Sequence, residues 1–279
     1  MELRLGDRIL TLDKPRVMGV LNVTPDSFSD GGRFISGDAA IEQATSMAEQ
    51  GADIIDVGGE STKPGSDELP VQVELDRILP VIESIAERLD VVVSVDTSKP
   101  EVMQAAVAAG AGLINDVFAL QRDGAMEAAA GLNAAICVMH MQGEPRTMQV
   151  RPEYKALPDD IIDFLTERVR ACTAAGIDSR RLIVDPGFGF GKNDGHNLKI
   201  LANLERFHDL KLPLLVGLSR KRTLGNLTGK ASDERVAAGV AAAVIAASKG
   251  ANIVRTHDVG PTVDALKILD AVRQSRCEK

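Results

Sequence analysis

Tryptophan is absent from the 279 residues, tyrosine occurs once and phenylalanine seven times, so aromatics make up only 3% of the chain. A protein so poor in ring faces has little with which to stack the bases of a single strand. No basic run exists either: Lys plus Arg is 32 against 40 for Asp plus Glu, a net charge of −8. That excludes a broad nucleic-acid or membrane-surface footprint and leaves room only for a local basic pocket around an anion. The three cysteines, Cys137, Cys172 and Cys277, are odd in number and form no CxxC pair. A disulfide framework or zinc ribbon is excluded, and the expectation is a reduced, cytoplasmic protein. No apolar run approaches the ~20 residues of a membrane span, and the opening MELRLGDRILTL has no signal-peptide core.

Several catalytic signatures are missing too. His140, His196, His208 and His257 show no HxH or HExxH spacing, there is no GxxxxGK[ST], and Ser219 lacks a GxSxG elbow. The glycines of 187–191 read GxGxG rather than the GxGxxG of a dinucleotide turn.

What is present is a repeated unit. Short apolar runs lie at 17–23, 53–58, 91–97, 113–117, 134–140, 182–187, 214–219 and 252–258. Near-continuous apolar strands are those buried on both faces, as in a parallel sheet. Amphipathic stretches alternate with them at 39–50, 70–89, 100–109, 159–175, 233–249 and 262–273, several ending at a glycine that suits a helix stop. Eight strand–helix units in one chain of this length predict an α/β fold, a (β/α)8 TIM barrel, with an open doubly wound sheet as the rival. No Pro/Gly/Ser-rich linker divides the sequence. The expected organisation is therefore one domain over 1–279, with an N-terminal β-hairpin in 1–14, turning at Gly6-Asp7 and plugging the barrel mouth, and the barrel in 15–275.

The strand ends carry the chemistry. In order they offer Asn22, Asp56, Asp96, Asn115 with Asp116, His140, Asp185, Arg220 with Lys221, and Arg255 with His257. In a barrel these ends meet on one rim. Any one of them could simply cap the next helix, but Asn115, Asp185 and Arg255 sit inside or at the end of apolar runs, where a polar group needs a partner or a ligand. Asp96, Asn115 and Asp185 suit a flat heterocycle with several N–H donors. Asn22, Arg220, Lys221, Arg255 and His257 suit phosphate. Two long loops, 22–32 and 58–65, are rich in Gly, Pro and hydroxyl groups and long enough to fold over such a site.

At these residues the chain resembles the dihydropteroate synthase family of pterin-binding TIM barrels. The matching stretches are MGVLNVTPDSFSDGG (18–32), DIIDVGGESTKPGS (53–66), SVDTSKPEV (94–102), INDV (114–117), VMHMQG (138–143), DPGFGFGK (185–192), LSRK (218–221) and VRTHDV (254–259). The resemblance implies a transferase of folate biosynthesis, the target of sulfonamides, that condenses (7,8-dihydropterin-6-yl)methyl diphosphate with 4-aminobenzoate, using Mg²⁺. It implies Asp96, Asn115, Asp185 and Lys221 as the pterin-binding set, with Arg255 against the pterin face. Asn22, Arg255 and His257 would contact the diphosphate and metal, Asn22 as the metal ligand, with Asp30 near the metal and Thr256 beside them in the substrate site. Thr62, Phe190 and the segment Ser219–Arg222 would form the aminobenzoate side. The catalytic residues would be Asp96, Asp185, Lys221, Arg255 and Asp30. It further implies a homodimer acting on small molecules. Two positions depart from the family: Lys63, where Arg is frequent, and Arg222, where Ser is. A pterin-dependent methyltransferase barrel and a non-catalytic pterin-binding protein are the rivals; the first needs no diphosphate clamp, and the second would have lost Asn22, Asp96 or Lys221.

Overall fold

A computed structural model describes residues 1–6, 8–24, 33–60 and 68–275, with residues 33–36 described for the backbone only. Asp30, Thr62, Lys63 and Cys277 lie outside the described residues, as does Asp7 of the expected hairpin turn.

The hairpin pairs β1 (Glu2–Leu5) with β2 (Arg8–Thr11) antiparallel, Leu5 facing Arg8 across the turn. Eight parallel strands follow: β3 (Arg16–Asn22), β4 (Ile54–Gly58), β5 (Val92–Asp96), β6 (Leu113–Asp116), β7 (Ala135–Met139), β8 (Leu182–Asp185), β9 (Leu215–Gly217) and β10 (Ile253–Thr256). Their spatial order is β8-β7-β6-β5-β4-β3-β10-β9, and a parallel bridge from Val184 to Leu214 closes the ring. This is the expected (β/α)8 barrel; the open sheet is excluded. Its helices are α1 (Arg33–Glu49), α2 (Val71–Arg88), α3 (Pro100–Ala108), α4 (Ala125–Gly131), α5 (Asp159–Ala174), α6 (Asp194–Ala202), α7 (Arg222–Thr228), α8 (Val236–Ser248) and α9 (Val259–Gln274).

Residues alternate in and out along every strand, and this sorts the core in two. Ile55, Val57, Val93, Val95, Ile114, Ile136, Val138, Val184, Val216 and Val254 point outward into the layer under the helices, where Ile78, Val81, Ile82 and Ile85 of α2 supply a stripe at helical spacing. Met18, Ile54, Leu113, Ala135, Cys137, Ile183, Leu215 and Ile253 point inward and meet Leu3, Leu5 and Leu12. The hairpin is therefore the floor of the barrel, as expected. Burying each of those leucines contributes about 1.5–3 kcal/mol. With its lower end filled by hydrocarbon, the barrel can hold polar groups only at the other end. Among the described residues no helix is long and apolar enough to cross a membrane.

Three helix starts differ from the sequence pattern by three residues or more, the first being α1, which begins at Arg33 rather than at 39. α9 begins at Val259, three residues before the expected 262, and Pro261 becomes its third residue, where a backbone N–H still has no intrahelical partner. α8 begins at Val236, because Ser232–Glu234 form a separate tight turn.

Candidate active site

Above the apolar floor the next inward residues are Val20 on β3, Asp56 on β4, Ser94 on β5, Asn115 on β6, Asp185 on β8 and Arg255 on β10. Val20, Asn115, Asp185 and Arg255 open into a cavity of about 480 Å³ at the C-terminal mouth, the size of a small-ligand pocket, while Asp56 and Ser94 are buried beneath it. Asn22, Asp96, Asn115, Asp185, Phe190, Lys221, Arg222, Arg255 and His257 all line it. The structure thus gathers these residues from six strand ends or the loops after them.

The centre of the site is an ionic network that ties four strands together. Arg255 donates from Nε to Asp56 Oδ2 at 2.6 Å and from a terminal nitrogen to Asp96 Oδ2 at 2.9 Å. Asp56, wholly buried, also accepts from Ser94 Oγ at 2.6 Å and from Asn115 Nδ2 at 3.1 Å. Burial works against the Arg255 cation, but Asp56 and Asp96 together hold its pKa above the ordinary guanidinium value. Burial likewise pushes the Asp96 carboxyl up, to about 7, against the pull of Arg255. The network spreads the guanidinium as a flat, fixed surface along one wall. Asp56 was legible as a charged strand residue but carried no assigned role; its inward phase, two residues after Ile54, is what places it here.

Asp185 is shaped by the loop that follows it. Gly187 donates its N–H to Asp185 Oδ1 at 2.7 Å and takes φ +69°. A Cβ there would stand 2.0 Å from the His140 carbonyl oxygen, so only glycine fits. The next carbonyls are each held by a side chain: Gly189 by Gln149 Nε2 at 2.6 Å, Phe190 by Lys192 Nζ at 2.9 Å, Gly191 by the Tyr154 hydroxyl at 2.8 Å. Asn197 Oδ1 accepts from Gly189 N at 2.9 Å, and its Nδ2 reaches Thr223 Oγ1 at 3.0 Å, linking the loop to α7. The result presents the Phe190 ring to Lys221, whose Nζ stands 4.2 Å from the ring centroid, a cation–π contact. Burial raises the Asp185 pKa to about 6 against the Gly187 N–H and Lys221, and burial with Arg255 lowers that of Lys221 to about 8.

Gln149 and Lys192 were not singled out in the sequence. Gln149 sits in the irregular stretch between β7 and α5 and gives no periodic signal. Lys192 ends the GFGFGK run, where burial pushes its pKa well below the usual lysine value, and it also bonds the carbonyl and Nδ1 of His140. His140 faces this lysine and the edge of Phe164.

The donor side is more selective than the sequence implied. His257 Nδ1 lies 3.2 Å from Ser219 Oγ, which also accepts from His257 N, and burial with Arg255 and Arg220 lowers its pKa to about 4. Its imidazole is neutral at pH 7. Arg220, expected as a phosphate cation, is instead paired with Asp258 through two bonds of 2.6 and 3.3 Å. Arg222 is exposed at the start of α7 and reaches Gln149 Oε1 at 3.3 Å. Thr256 does not line the cavity. It points outward between Arg255 and His257, accepting from Asp258 N at 3.1 Å and facing Thr262 Oγ1 at 3.3 Å, so the substrate contact expected of it becomes a bond at the head of α9. Asp116 is likewise outward, accepting from Ser98 Oγ and from Phe118 N and Leu120 N.

Chemically, the floor offers carboxylate and amide oxygens to a donor-rich ring, one wall offers a flat cation, and the rim offers Lys221, His257 and Asn22 to an anion. The class this defines is a barrel enzyme that binds a pterin-like heterocycle, and the pterin binding enzyme family matches residues 18–257. The chain is 49% identical over 270 residues to the dihydropteroate synthase of Escherichia coli (strain K12), covering 97% of this chain and 96% of that one. Xanthomonas albilineans dihydropteroate synthase solved with 4-aminobenzoic acid matches with TM-score 0.93 and 51% identity over 98% of both chains. The same enzyme solved with 7,8-dihydropteroate matches with TM-score 0.90 and 49% identity over 98% of this chain and 99% of that one. The chain belongs to the dihydropteroate synthase family.

Proposed function

We propose that this protein condenses (7,8-dihydropterin-6-yl)methyl diphosphate with 4-aminobenzoate, giving 7,8-dihydropteroate and pyrophosphate. The observation that carries this reading is the junction of an acceptor floor (Asn115, Asp96, Asp185) with the cation Lys221 and the Arg255 wall. The first reads a donor-rich ring; the second meets an anion leaving from it. In the reaction the anilino nitrogen forms a bond to the pterin methylene carbon as the C–O bond to diphosphate breaks. The electron pair departs with diphosphate, and the nitrogen loses one proton. Neutral aniline needs no strong base. Charge on the methylene carbon is supported by Asp96 and Asp185, and charge on the leaving group by Arg255 and Lys221, held in a partly desolvated site where such interactions are strong. His257 adds a neutral imidazole.

Mg²⁺ fits the oxygen chemistry of the rim. No group of three His, Cys, Asp or Glu side chains among the described residues could hold a metal alone, but Mg²⁺ commonly takes one or two protein oxygens and completes its shell with water and substrate phosphate. Asn22, on the cavity wall, would supply that oxygen, and the ion would neutralise the departing diphosphate. The exposed Arg222 would face the aminobenzoate carboxylate from the α7 end. The protein works as a homodimer, for which Ile245, Ile268 and Val272, exposed on α8 and α9, offer apolar surface. The buried free thiols Cys137 and Cys172 suit a reducing cytoplasm. Incubation of the purified protein with both substrates and Mg²⁺, followed by mass analysis, tests the reading: 7,8-dihydropteroate is the expected product, and its absence would reject it.

A further inference from the structure

Asp56 touches no open part of the cavity, yet three of the groups around the site are bonded to it. Its Oδ1 accepts from Ser94, and its Oδ2 accepts from both Asn115 Nδ2 and Arg255 Nε. The consequence for Asn115 is specific. An amide side chain can turn either its oxygen or its nitrogen towards a ligand, and the two orientations have nearly the same shape. Asp56 Oδ2 accepts from Asn115 Nδ2, which turns the amide nitrogen towards Asp56 and leaves Oδ1 for the cavity that Asn115 lines. The same carboxylate oxygen pins the Arg255 guanidinium, whose other end is held by Asp96.

We propose that Asp56 is a positioning residue that sets the sense in which the pocket reads its ligand. By turning Asn115 it makes the floor an all-acceptor surface of Asn115 Oδ1, Asp96 and Asp185. The pocket then selects a heterocycle with N–H donors along that edge and rejects isosteres carrying an acceptor there. This rests on the pterin reading above and deepens it. The geometry also separates two replacements. An asparagine at 56 can put its oxygen at the shared position, still accepting from Asn115 and Arg255, while its nitrogen faces Ser94 Oγ, a hydroxyl able to accept. A leucine offers no acceptor and frees the Asn115 amide to turn.

The test is calorimetric titration with a dihydropterin and with analogues in which one ring N–H or amino donor at a time is replaced by an oxygen acceptor. Leaving a buried donor or acceptor unpaired is worth about tenfold or more in affinity. Wild type should therefore reject at least one analogue by that factor. Asp56→Leu should lose about tenfold of that discrimination, and Asp56→Asn should keep it to within about threefold. Adding Asn115→Asp to Asp56→Leu should restore it, because a carboxylate presents an oxygen whichever way it turns. KM for 4-aminobenzoate should stay unchanged throughout. If Asp56→Leu does not fold, Asp56→Ala, which leaves no bulk in the network, makes the same comparison. Equal discrimination by wild type and the leucine or alanine variant would overturn the proposal, as would an Asp56→Asn loss as large as theirs. A wild-type protein that binds no dihydropterin would instead overturn the pterin reading, and this inference with it.

Discussion

Lys221 Nζ stands 4.2 Å from the centroid of the Phe190 ring. The contact joins the loop after β8 to the loop after β9, and on its inner side lies Asp185. One residue pair therefore connects the expected pterin floor with the expected aminobenzoate side, and the ionisation of Lys221 and of the floor carboxylates beside it sets the working pH range.

Burial raises the Asp185 pKa to about 6 and lowers that of Lys221 to about 8. Ligand donors require Asp185 ionised and the anion requires Lys221 protonated. Asp96, raised to about 7, must be ionised as well. Dihydropterin diphosphate should therefore bind best between about pH 7 and 8, weakening below as Asp96 and then Asp185 take up protons and above as Lys221 loses its own. The sign for stability at Asp185 is opposite on the acid side: the folded site holds that proton more tightly than the unfolded chain, so lowering the pH through 6 favours folding at this residue. Calorimetry from pH 5 to 9 checks the binding profile; a flat one would contradict it.

Asp185→Asn should cost at least tenfold in pterin affinity with little change in Tm. The Gly187 N–H at 2.7 Å claims one oxygen of Asp185. An asparagine would satisfy it with Oδ1 and be forced to turn its NH₂ towards ligand donors, a mismatch of about 1–3 kcal/mol. Titration of both proteins with a dihydropterin decides it; equal affinities would leave Asp185 as a brace for its loop.

EDTA should abolish turnover and Mg²⁺ should restore it. Asn22→Ala should raise the Mg²⁺ concentration needed for half-maximal rate while leaving the binding of a pterin without diphosphate unchanged. Full activity in EDTA would remove the metal from the account.

Arg222→Ser should raise KM for 4-aminobenzoate about fivefold and leave that for the pterin substrate alone. The side chain is exposed, so its pairing with a carboxylate is worth only about 1 kcal/mol. Steady-state kinetics in each substrate separate the two; an unchanged KM would put Arg222 outside the aminobenzoate site.

Leu3→Ala should destabilise the fold by about 2–5 kcal/mol without altering either KM, because Leu3 is wholly buried in the apolar floor well below the site. Chemical denaturation and kinetics on the same preparation check both halves.

The strands were readable because a parallel sheet buries both faces, and eight apolar runs announce themselves without any alternation. That same continuity hid the phase. Nothing in LINDV distinguishes inward Asn115 from outward Asp116, and nothing in VRTHD distinguishes inward Arg255 from outward Thr256; the barrel's closure decides. Arg220 could not be seen as paired, because its partner Asp258 comes from the next strand end. The short helices α4, α6 and α7 have seven, nine and seven residues, below the window of roughly 11–18 over which apolar periodicity marks a helix. The equally short α3, by contrast, announced itself by Pro100 at its start and Gly110 beyond its end. Gln149 entered the site from a segment with no pattern at all.

The central claim is that the acceptor floor and the cation rim act together in one condensation. Its most direct test is the initial rate of pyrophosphate release with the pterin diphosphate alone, with 4-aminobenzoate alone and with both, in Mg²⁺. Release that requires both substrates, in one-to-one ratio with dihydropteroate, is the result expected; release at the same rate without 4-aminobenzoate, or none with both present, would contradict it.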